Sequence, residues 1–134
     1  MIITRETDYA LRILRALADE EQHTVGELAR QELIPQQFAY KILKKLTKAG
    51  LVQTFRGVDG GCRLTADLAE TTLYDVMTAV EEGGSLSACM EPGYQCDWQA
   101  AHGSCSIHCR LAEVQQRLDE ELKAHSLQKI LSPA

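Results

Sequence analysis

With 134 residues, 45% of them hydrophobic and 25% charged, the chain has the size and composition of one globular domain and lacks any apolar run near the ~20 residues of a membrane span. Its charged N-terminus, MIITRETDYALRIL, has neither the apolar stretch nor the cleavage site of a secretory signal, so a cytoplasmic protein without membrane contact is expected. The net charge of −5 argues against a nucleic-acid partner only until its distribution is counted: between Arg30 and Arg63 seven basic residues face only Glu32 and Asp59, enough to turn one basic face to a phosphate backbone.

Ala10, Ile13, Leu14, Leu17 and Ala18 recur at helical spacing, predicting a first amphipathic helix with Thr4 as its N-cap. Thr24 and Glu27 stand in the relation of a capping box and open a short second helix that buries Val25, Leu28 and Ala29. Pro35 suits the first turn of a third helix, in which Ala39, Ile42, Leu43 and Leu46 face inward and Gly50 supplies the stop. LVQTF and CRLT are β-prone runs around the turn-forming RGVDGG, which predicts a two-stranded hairpin. Thr72 caps a fourth helix that buries Leu73, Val76, Met77 and Val80 and ends at Gly83 and Gly84. After a cysteine-rich stretch, Ile107, Leu111, Val114, Leu118 and Leu122 mark a long one-sided helix that needs a partner.

The expected fold is therefore mainly α with a small β-hairpin wing. Residues 1–82 form a winged helix-turn-helix, 83–103 a cysteine-rich loop, and 104–134 a dimerisation helix and tail. In such an order the third helix enters a major groove of double-stranded DNA. Gln36, Gln37 and Tyr40 would reach base edges, Lys41, Lys44, Lys45 and Lys48 phosphates, and Arg56 beside Gly57 at the wing a minor groove. Nothing in the sequence points to catalysis.

The stretch CMEPGYQCDWQAAHGSCSIHC holds Cys89, Cys96, Cys105 and Cys109, separated by six, eight and three residues, with His108 three positions after Cys105. Soft thiolates select zinc, copper(I) or iron–sulfur clusters, and structural zinc usually takes its ligands in close pairs, of which this stretch offers only Cys105 with His108. An iron–sulfur cluster, zinc and a reversible disulfide all remain open on the residues alone, as does a metal- or thiol-binding interaction module that does not read DNA. Cys62, apart in the wing, reads as an apolar filler, and His23, His102 and His125 as surface residues.

TRETDYALRIL, IPQQFAYKILKKLTKAGLV, RGVDGGCRL and LYDVMTAVE resemble the Rrf-two family of bacterial transcription regulators over nearly the whole chain. That resemblance implies a homodimeric winged-helix repressor on a pseudo-palindromic operator. It further implies that Cys89, Cys96 and Cys105 hold a 2Fe-2S or 4Fe-4S cluster that senses iron–sulfur, redox or nitric oxide status. The family's fourth ligand is either a histidine just past the last cysteine, which His108 matches, or an aspartate near the partner's N-terminus, which Asp8 matches; Cys109 is an additional thiol.

Overall fold

A computed structural model describes residues 3–58, 60–81 and 83–133. Met1, Ile2, Asp59, Glu82 and Ala134 lie outside the described residues, among them the Asp59 of the basic stretch and the Glu82 that ends the first expected segment. Helix α1, Arg5–Ala16, buries Ala10, Ile13 and Leu14 and tightens into a 3-10 turn at Leu17–Asp19. At three residues per turn the stripe loses its register, so Leu17 is still buried but Ala18 is exposed, contrary to expectation. Thr4 takes the expected N-cap position, its carbonyl accepting from the Asp8 amide at 3.0 Å, but its side chain makes no cap bond and is engaged elsewhere.

Helix α2, Val25–Glu32, starts with the expected capping box: the Glu27 amide donates to Thr24 Oγ1 at 3.1 Å and the Thr24 amide to Glu27 Oε2 at 3.1 Å. Val25 is only half-buried, whereas Leu28 and Ala29 enter the core. Leu33 then turns the chain at φ 56 and Pro35 starts α3, Gln36–Lys48, whose Ala39, Ile42, Leu43 and Leu46 are buried as expected. Gly50, at φ 78, lets the Leu51 amide reach back to the Leu46 carbonyl at 2.9 Å and closes that helix.

The wing is β1, Val52–Phe55, paired antiparallel with β2, Gly61–Leu64, in the register Val52 to Leu64. His23 bridges to it, exchanging backbone hydrogen bonds with Cys62 at 2.9 and 2.8 Å, so it is a partly buried joint rather than a surface residue. Gly61 sits at φ 148, and a Cβ there would collide with the His23 carbonyl.

Helix α4, Leu73–Val80, carries a second capping box from Thr72 and Asp75 and buries the four expected residues. It stops at Val80, short of the glycines, because Glu81 turns extended and sends its carboxylate to α1. The segment 83–103 contains a 3-10 turn, Ala88–Met90, and helix α5, Asp97–His102. Helix α6, Ser106–Lys123, packs against α4. The expected tail folds back as α7, Leu127–Leu131: Leu127 is fully buried in the core with Ile13, Leu14, Ile42 and Val80, and its amide donates to the Thr71 carbonyl at 2.8 Å.

Candidate nucleic-acid interface and cysteine segment

Because the buried stripe of α3 fixes its rotation, Gln36, Gln37, Tyr40, Lys41, Lys44 and Lys48 face outward and are exposed. A groove of about 890 Å³ runs between this helix and the wing, and Tyr40, Lys44, Lys48, Arg56 and Gly57 all line it. The fold thus gathers residues 16 positions apart, Tyr40 and Arg56, around one concavity with cations on both walls. Thr24, Thr47 and Thr54 line it as well. The sequence marks Thr24 only as a helix cap and leaves Thr47 and Thr54 unmarked, since a threonine carries no charge to single it out.

Lys45 departs from expectation. Its ammonium lies 2.9 Å from Glu6 Oε2 and 3.0 Å from the Val80 carbonyl, with the side chain 23% exposed, so it ties α3 to α1 and α4 and does not face the groove. Lys41, though more exposed, pairs with Glu6 Oε1 at 2.7 Å. Hydrogen bonds from Lys41 and then Lys45 hold the Glu6 carboxyl below its usual range.

In the cysteine segment, Cys89 Sγ lies 3.3 Å from His108 Nδ1 and 3.2 Å from Ser87 Oγ. This brings the start of the segment onto the first turn of α6. The Leu86 amide reinforces the contact by donating to Gln115 Oε1 at 2.6 Å, and Gln115 in turn donates to Asp119 at 2.8 Å. Cys96 and Cys105 are half-buried and immediately precede α5 and α6, respectively; Cys109 is exposed. Asp8 forms an ion pair with Arg12 at 2.9 Å and borders Ile130 and Leu131 of α7. Among the described residues no three His, Cys, Asp or Glu side chains converge on one point. The donor set, three half-buried thiols with an adjoining imidazole, nevertheless suits a soft metal centre.

Cys62 is fully buried in β2, and burial pushes its thiol up to about 11, which agrees with a filler. His102 is exposed, stacked on Trp98 at 4.5 Å, and His125 meets Glu121 at 2.8 Å.

The Rrf2 family model, described as Iron-dependent Transcriptional regulator, matches residues 3–133. The chain belongs to the Rrf2 family. Protein aau3 of Rhizobium meliloti (strain 1021) is 33% identical over 98% of this chain and 85% of its own. The HTH-type transcriptional regulator NsrR of Geobacillus kaustophilus (strain HTA426) is 33% identical over 92% of this chain and 80% of its own. The solved structure of T. potens IscR shares the fold with a TM-score of 0.69 at 18% identity, covering 96% of this chain and 85% of that one. As an Rrf2 protein the chain is a DNA-binding transcriptional regulator and not an enzyme. Among the described residues of this Rrf2 regulator no helix is long and apolar enough to cross a membrane.

Proposed function

We propose that this Rrf2 regulator works as a homodimeric repressor whose operator affinity is set by an iron–sulfur cluster on its cysteine segment. Each subunit lays α3 and the wing on one half of a pseudo-palindromic operator, with Gln36, Gln37 and Tyr40 toward bases, Lys41, Lys44 and Lys48 toward phosphates, and Arg56 with Gly57 at the flanking minor groove. Cys89, Cys96 and Cys105 would hold the cluster, which when bound supplies a centre sensitive to oxygen, nitric oxide and iron supply.

The observation that carries this reading is the 3.3 Å contact between Cys89 Sγ and His108 Nδ1. Two donors separated by a helix and two loops already meet, and the meeting point sits where the segment is pinned to α6 by Leu86 and Gln115. It also favours His108 over Asp8 as fourth ligand, because Asp8 is engaged by Arg12. The family's description as iron-dependent supports the metal.

Protein purified without oxygen is expected to be brown, with iron and acid-labile sulfide in similar amounts. Substitution of Cys89, Cys96 or Cys105 by Ala should abolish the colour, and His108→Ala should change the visible spectrum where Asp8→Ala does not. Protein that stays colourless after anaerobic reconstitution with iron and sulfide would overturn the cluster while leaving the role of α3 intact.

A further inference from the structure

We infer that Glu6, Lys45 and Glu81 form a joint through which the root of the cysteine segment sets the seat of the DNA-reading helix. The Glu6 carboxylate on α1 holds Lys41 and Lys45, one helical turn apart on α3. Lys45 also donates to the carbonyl of Val80, the last residue of α4. The next residue, Glu81, accepts from the Thr4 amide at 3.2 Å, Thr4 Oγ1 at 2.5 Å and Thr7 Oγ1 at 2.6 Å, and Thr7 is fully buried. The first turn of α1 is therefore gripped from both sides, by α3 through Glu6 and by the end of α4 through Thr4 and Thr7. Thr4, Arg5, Glu6, Lys41, Lys45 and Glu81 line an open cleft of about 390 Å³ between these elements.

Past the exposed Gly83 and Gly84 the chain is held again, within the cysteine segment and onto α6. Glu91 accepts from the Ser85 amide at 3.2 Å, and Leu86 is held by Gln115 of α6. Apolar packing resists separation of α3 from its neighbours but is non-directional. Charge-assisted hydrogen bonds are directional and add to the buried stripe a finer constraint on how the helix is seated and turned. A displacement of residues 80–81 by one bond's reach deprives Lys45 of a partner in a half-buried site, so α3 is biased by where the segment begins. Lys45 and Glu81 are positioning residues: neither faces the groove.

The use of this joint rests on the sensing role proposed above, but its test needs neither cluster nor operator. Hydrogen–deuterium exchange is followed on the full chain carrying Lys45→Met, Glu81→Ala, the milder Glu6→Gln, the outward-facing control Lys44→Met, and the destabilised core control Leu28→Ala. Lys45→Met, a change in α3, is expected to speed exchange across 83–91 by about threefold, the low end of coupling through packed networks, and Glu81→Ala to do the same across 36–48. Lys44→Met should do neither, and Leu28→Ala should speed exchange evenly. If the effects stay within the substituted element, or spread as evenly as in Leu28→Ala, the joint is only structural and the inference fails. If Lys45→Met does not fold, Glu6→Gln and Glu81→Ala decide. A colourless protein would sink the cluster without touching this result.

Discussion

Lys44 and Lys45 are neighbours of one residue type, and their fates differ because a helix rotates by about 100° per residue. Lys44 lands in the groove beside Arg56, whereas Lys45 lands against Glu6 and the end of α4. From the sequence, Lys45 goes with Lys41, Lys44 and Lys48 to the phosphates, although it lies three residues after the buried Ile42. What the sequence withheld was its partner: Glu6 is 39 positions away, and no local pattern announces which carboxylate will meet which amine. The consequence is measurable by anisotropy on duplex DNA across a salt series together with thermal melts. Lys44→Ala should reduce the slope of log affinity against log salt by about one and leave the melting temperature unchanged. Lys45→Ala should leave the slope unchanged and lower the melting temperature by about 4 °C, the effect of ~1 kcal/mol in a chain of this length.

At the scale of elements, what depends on local chemistry was readable and what depends on distant partners was not. Both capping boxes, the stop at Gly50 and the hairpin follow from residues within a few positions of one another. The early end of α4 follows from Glu81 reaching Thr4 and Thr7, more than 70 positions back, so the glycines beyond it misled. The same holds for Cys89 and His108: their spacing marks them as candidate ligands, but only the packing of 83–91 on α6 brings them together. Helix α7 is the clearest case. Its five residues have one deeply buried side chain, Leu127, and its docking relies on backbone bonds to Thr71 and Leu68. Leu127→Ala is expected to cost about 2–5 kcal/mol in urea unfolding, the range for an emptied aliphatic core site. Ile130→Ala, on the same helix but 39% exposed, should cost under about 1 kcal/mol. Equal losses would mean that α7 is held by its outer face and not by Leu127.

For the whole molecule, the decisive feature is how the stripe of α6 is divided. Leu111, Leu118 and Leu122 are half-buried, while Ile107 and Val114 are 68% and 53% exposed on a helix with no fully buried residue. A single chain therefore satisfies only part of the apolar face that its sequence specifies, and Tyr94 and Trp98 of the neighbouring segment are half exposed as well. Pairing two copies along α6 would cover Ile107 and Val114 and place two α3–wing units in one particle, which a two-fold operator requires. Binding gains follow from that linkage, because engagement of the second half-site becomes intramolecular. Ile107→Glu combined with Val114→Glu places four carboxylates of like charge along the proposed seam. Sedimentation should then show a monomer, operator affinity should fall by at least about tenfold, and the circular dichroism spectrum should be unchanged, since neither side chain belongs to the buried core of one chain. A variant that sediments as a dimer would place the interface elsewhere than on this stripe, and a dimer of full operator affinity would remove α6 from the spacing of the reading heads altogether.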